Sequence, residues 1–398
     1  MASGSREVWI TGFGILSCLG EGTEAHWQKL MAAQPSADAT TFAPFVVHPL
    51  APINFDAQIP KKGDQRQMEN WQRIGTYAAG LALDSAGVKG NTDILSRMDM
   101  IVAAGGGERD LTVDSNILTG MKHAANPAAF LNERLMSDLR PTLFLAQLSN
   151  LLAGNISIVH GVTGSSRTFM GEESAGIDAI RIAHARIGAG QSDIALVGGS
   201  YNGERPDLLM LYESASLALK DKYLPVWQRA RDHGGFALAS LGAFLVVEAR
   251  EHAEKRGVKA LARLTSVVSD RASRKPGTIT QTLARLWDSL KNRVGASHTA
   301  ILSGATGANP ATAEERDFLE AHRDLAVRAT GSYLGHGLEP QFAMNIALAT
   351  IALARGSLFP PCDSTGLELP MDNELRQVVV TGVGHWRGEG LALVERAG

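Results

Sequence analysis

Residues 164–199 read GSSRTFMGEESAGIDAIRIAHARIGAGQSDIALVGG. A short strand, a sharp turn at Gly171 and a helix with small residues on its first turn are expected here, followed by a strand, Ile194–Val197, that ends in glycines. The helix expected over Ser174–Ile187 places Ile177, Ile180 and Ile187 near one face. A residue at the start of such a helix sits on an exposed elbow, where the backbone N–H groups and the helix dipole favour negative charge. That residue is Glu173.

Outward from this segment, short β-rich runs alternate with longer helical stretches, an α/β pattern. Strands are expected at Val8–Gly14, Asp99–Ala104, Phe236–Glu248, Leu264–Val268, Thr299–Leu302, Leu325–Ala329, Gln377–Gly382 and Leu391–Glu395. Helices are expected at Thr23–Ala33, Thr76–Ala86, Glu251–Arg256, Thr278–Val294, Ala313–His322 and Gln341–Ala354. Most of the strands read as buried on both faces, as a sheet covered by helices requires. The alternation begins again near Ala260 with no low-complexity linker, so two similar halves, 1–255 and 256–398, are expected around a shared core. Val8–Gly14 (VWITGFG) and Val378–Gly384 (VVVTGVG) look alike, but seven residues do not set a repeat register.

Composition narrows the function classes. The 398 residues are 44% hydrophobic and 20% charged, with a formal net charge of −3, which offers nucleic acid or an anionic membrane no attraction. The lead Met1–Arg6 is small and polar, and no run of about 18 apolar residues offers a membrane span, so a soluble cytoplasmic protein is expected. Cys18 and Cys362 form no disulfide framework, and the eleven histidines lack metal-ligand spacing; neither a metal nor a cofactor is expected. Thr11-Gly12-Phe13-Gly14 lacks the third glycine of a dinucleotide-binding turn, and no tyrosine is followed four residues later by lysine. A tight turn after the first strand is the plainer reading.

The 164–199 segment resembles the β-ketoacyl synthases, whose active-site stretch reads approximately TACASGxxAI. Gly171, Glu172, Glu173, Ser174, Ala175, Gly176, Ala179 and Ile180 take the successive fixed places, and the nucleophilic cysteine falls on Glu173. The resemblance extends along nearly the whole chain. Val8–Gly20 is similar to the opening ITGxGxxSPLG, with Cys18 in the proline's place, and Asn155–Gly164 to NISI–HG–KG. Gly235–Gly257 is similar to DGFVxGEGAGVLVLE–AxxRG, with Ser240 for glutamate, and Leu358–Cys362 to LPPT.

The resemblance implies a thiolase-like duplicated α/β fold of five layers. It also implies an acyl-transfer chemistry that needs a cysteine thiolate, two histidines, a lysine and an oxyanion hole of backbone N–H groups. Here the first histidine corresponds to Ser303, the lysine to Gly331, and the second histidine is retained as His336. Glu339-Pro340 stands where the family has Gly-Ala-Ala-Gly, and His385 falls near the position of the family's gating loop.

Loss of cysteine, histidine and lysine together resembles the chain-length factors, which pair with an active synthase. The expectation is a non-acylated homologue in fatty-acid or polyketide assembly that dimerises with an active synthase subunit, or with itself, and meets acyl or malonyl acyl carrier protein. A malonyl–carrier-protein decarboxylase or an atypical 3-oxoacyl synthase with a rearranged site is the alternative. A binding or regulatory protein unrelated to acyl chains is a third reading.

Overall fold

The computed structural model describes residues 5–139, 147–229 and 234–397. Met1–Gly4, at the start of the polar lead, lie outside the described residues. The main strands are β1 (Val8–Ser17), β2 (Asp99–Ala103), β3 (Ser166–Phe169), β4 (Ile194–Tyr201), β5 (Leu241–Ala249), β6 (Ala262–Asp270), β7 (Thr299–Ser303), β8 (Ala326–Ala329), β9 (Gln377–Val383) and β10 (Glu389–Arg396). Their spatial order is β8-β7-β9-β10-β6-β1-β5-β4-β2-β3.

Counted from its own first strand, each half therefore has the order 1-5-4-2-3. In the first half β2 runs parallel to β3 and β4, while β5 is antiparallel to β4 and β1. The second half repeats this: β7 is parallel to β8 and β9, and β10 is antiparallel to β9 and β6. The halves meet where β1 pairs antiparallel with β6, through Trp9 with Arg263 and Ile10 with Ala262. The fold is thiolase-like and duplicated. The resemblance between VWITGFG and VVVTGVG is not the repeat, because β1 is the first strand of one half and β9 the fourth of the other.

Helices build the remaining layers: α1 (Asn70–Ser85), α2 (Leu151–His160), α3 (Glu172–Gly188), α4 (Pro206–Ser214), α5 (Thr278–Asp288), α6 (Ala311–Glu320) and α7 (Gln341–Arg355). In each half the helix between the third and fourth strands, α3 or α7, turns inward. These two pack on one another and against both halves of the sheet. Every residue of α7 from Gln341 to Leu353 is buried, as expected of a helix that is apolar nearly all round. The packing of α1 with α2 covers the first half, and that of α5 with α6 the second.

Gly12 and Gly14 are not a turn, as the sequence suggested, but lie inside β1. A Cβ on Gly12 would come within 2.5 Å of Ala86 N, and one on Gly14 within 2.1 Å of Ala78 O. These glycines let α1 lie directly on the strand; they do not approach a phosphate. Among the described residues, no helix is long and apolar enough to cross a membrane.

Candidate functional site

The edge strand β3 ends at Phe169, and Met170-Gly171 turn the chain into α3, whose first residue is Glu172. Gly171 has φ 126°, a conformation that demands glycine, and a Cβ there would lie 2.6 Å from the Arg387 guanidinium. Glu172 is left-handed at φ 50°, a strain of roughly 1–3 kcal/mol that the surroundings must hold in place. Ser174 Oγ donates to Gly171 O at 2.8 Å and closes the elbow. Glu173 follows the strained residue and points inward, only 6% exposed.

The partner of Glu173 comes from the other half. His336 Nε2 donates to Glu173 Oε1 at 2.8 Å, and both side chains are buried. The residue is held through both its backbone and its ring. His336 N donates to Ala237 O, Ala239 N donates to His336 O, and the Phe236 ring stacks on the imidazole at 5.3 Å with an interplanar angle of 16°. The ring of His385 meets Phe236 edge-on at 5.5 Å. Burial alone would raise the Glu173 pKa. The His336 hydrogen bond and charge, the residue's own backbone N–H and His385 outweigh it, so the carboxyl is held below its ordinary value. Burial lowers the His385 pKa, against the pull of Glu173.

Removing one member of a buried pair of this kind costs about 3–5 kcal/mol, because the other is left without a partner. Glu173→Ala is therefore expected to lose that much stability in urea titrations. Glu173→Gln should lose much less, since its amide oxygen still accepts from His336. Equal losses in the two variants would show that the bond contributes nothing.

Beside this pair, and opening to solvent, lies a cavity of about 410 Å³. Its wall includes Gly105, Glu172, Tyr201, Arg205, Tyr212 and Glu339, but not Glu173 or His336. Glu339 is 4% exposed, and its carboxyl reaches over Gly105, where a Cβ would lie 2.7 Å from Oε1. Its backbone is pressed just as closely on α3: a Cβ on Gly176 would sit 2.1 Å from Glu339 O. Burial, reinforced by the charges of Glu173 and Glu172, pushes the Glu339 carboxyl up to about 8. Burial and Glu173 also raise Glu172, against Arg387, whose guanidinium stands 4.0 Å away.

The structure thus brings together Glu173, His336 and His385 from the positions singled out in the sequence. Ser303 ends β7, and its hydroxyl is committed to buried Glu315, donating to Oε1 at 2.7 Å. Gly331 opens the short helix Gly331–Leu334 and contributes no side chain. A Cβ there would lie 3.0 Å from Ala305 O and 3.2 Å from Val226 Cγ2, so the space of a longer side chain is already filled. Glu339 was not among the sequence candidates, although the Glu339-Pro340 departure from a glycine-and-alanine pattern was its signal. The short strand expected before the Gly171 turn lies at Ser166–Phe169, at the edge of the sheet.

Residues 5–253 match the family model for the β-ketoacyl synthase N-terminal domain. The chain is similar to 3-oxoacyl-[acyl-carrier-protein] synthase 2 of Vibrio cholerae, 28% identical over 271 residues, covering 65% of this chain and 62% of that protein. It is also similar to the tetracenomycin polyketide synthase ketoacyl synthase beta subunit of Streptomyces glaucescens, 26% identical over 264 residues, covering 64% and 61%. Matched stretches thus span about three-fifths of these relatives. Among solved structures, the ishigamide ketosynthase/chain length factor superposes with a TM-score of 0.79 at 18% identity, over 99% of this chain and all of that one.

Proposed function

The chain belongs to the β-ketoacyl synthase family, and we propose that within it this chain is a non-acylated partner subunit of fatty-acid or polyketide assembly. It would pair with an active synthase, shape the acyl pocket and meet acyl carrier protein through the assembled dimer. The observation that carries this reading is the buried hydrogen bond from His336 to Glu173. The retained histidine is occupied by the residue in the nucleophile's place, and neither lines the cavity. A carboxylate so held cannot be usefully acylated, and an imidazole so held is not free to act on a malonyl carboxylate.

The edge strand supports a partner on this side of the molecule. Among the described residues β3 pairs only with β2, and Ser166 and Arg167 are exposed. Met170 and Leu211, large apolar residues 66% and 60% exposed, line the adjacent cavity. An open edge with apolar neighbours invites pairing with another chain. Glu172 and Glu173 lie immediately after this edge. A homodimer across it would bring like charges together, at a cost that can reach several kcal/mol and decide partner choice.

Two measurements test the reading. Incubated with acyl–carrier protein, the chain should show no acyl adduct by intact-mass spectrometry; a stable adduct would sink it. In analytical ultracentrifugation the mixed dimer with an active synthase should be tighter than the homodimer, and Glu173→Gln should weaken the mixed pair while leaving self-association equal or stronger. A wild-type homodimer tighter than the mixed pair would refute the charge argument. Carbon dioxide released from malonyl–carrier protein by the chain alone would favour the decarboxylase instead.

A further inference from the structure

Resting on the reading of this chain as a subunit that shapes an acyl pocket, we infer that its cavity selects an acyl chain bearing an acceptor oxygen, a ketone or an ether, to which the Glu339 carboxyl donates a hydrogen bond. Three observations converge on this residue. Glu339 lines the 410 Å³ cavity, a volume within the range of small-ligand pockets. It is more than nine-tenths buried, and among the described residues its Oε2 has no hydrogen-bond partner. The carboxyl rests over Gly105, where any side chain would collide with it.

Burial raises the Glu339 pKa most and the charges of Glu173 and Glu172 at the start of α3 add to it, against the backbone N–H groups of Glu339 and Glu172, so the carboxyl carries a proton at neutral pH. Tyr201 at the end of β4 is a phenol held neutral by burial, then by Tyr212 and Glu339, and Tyr212 of α4 by burial, then by Glu173, Glu339 and Glu172. Arg205 in the same wall is occupied by Asp207 at 2.6 Å. A neutral carboxyl in the cavity wall, whose Oε2 meets no partner among the described residues, is left to donate to a group that enters the cavity. A saturated chain filling that space would leave the donor unpaired and out of water, whereas a chain with an oxygen at the right depth would satisfy it. Sites that hydrogen-bond a ligand group reject the analogue lacking it far more strongly than apolar pockets reject a methylene.

The test uses the full chain, alone and in its mixed dimer, titrated with decanoyl-pantetheine and its monoketo derivatives, the ketone placed at different carbons, as probes. At least one ketone isomer should bind wild type about tenfold tighter than the saturated chain. Glu339→Leu should reverse the preference. Glu339→Gln, whose amide still donates, should keep it. The inference fails if the saturated probe binds wild type as tightly as every ketone, if none of the probes binds, or if Glu339→Leu retains the ketone preference. Intact mass and dimerisation are read on the same samples. An adduct, or no mixed dimer, counts against the subunit role, whereas lost ketone preference in an intact mixed dimer counts against this inference alone.

Discussion

Glu173→Cys, made alone, is expected to leave condensation about 10⁴-fold or more below that of an active synthase in the same assay. Restoring a thiol returns only one of the groups that the family's chemistry uses. Each absent acid–base partner withholds roughly 10²–10⁴-fold in rate. The Ser303 hydroxyl is tied to Glu315 and offers no imidazole, and Gly331 offers no ammonium. His336 would lose its carboxylate partner and become free, yet the new thiol would sit as deeply buried as Glu173, away from the cavity wall. Product formation within about tenfold of an active synthase, measured with acyl and malonyl carrier protein, would show that the catalytic groups have been wrongly placed.

Glu339→Gln is expected to stabilise the protein at alkaline pH by about 5 kcal/mol and to have little effect near pH 4. The sign follows from burial. The carboxyl is raised from an ordinary value of 4.5 to about 8, so the folded chain holds a proton that the unfolded chain has already released. Below about 4.5 both states are protonated and the wild type bears no penalty. As pH rises from there toward 8, wild-type stability falls; above 8 the loss is complete. Glutamine does not titrate and escapes it. Denaturant midpoints of the two proteins should therefore coincide in acid and separate progressively up to about pH 9. A constant difference across that range would mean that Glu339 is charged or solvated in the folded protein. Glu173 acts in the opposite sense: its depressed pKa contributes stability above about 4.5 that is lost as pH falls below it.

What the sequence determined by itself is what depends on neighbours along the chain. Residues 164–199 specify strand, turn and helix, because Gly171 alone can adopt the turn's backbone angle and the isoleucines of α3 recur at helical spacing. The identity of Glu173 and its place at a helix start were legible for the same reason. So was the α/β alternation, apart from helices such as Leu111–His123, Pro127–Ser137 and Pro206–Ser214, which the reading did not anticipate. Their mixed faces bury little: Ile117 is the buried residue of the first, and the second has none. The role of Gly12 and Gly14 was misread, since a glycine needed for a turn and one needed for close helix packing look the same in one dimension. Only the tertiary structure decided the repeated 1-5-4-2-3 strand order and the 163-residue reach that joins His336 to Glu173. It also decided the arrival of Glu339 over Gly105. A hydrogen bond between distant segments, and the pKa of a carboxyl surrounded by them, depend on which surfaces the fold buries together, and no local pattern encodes that.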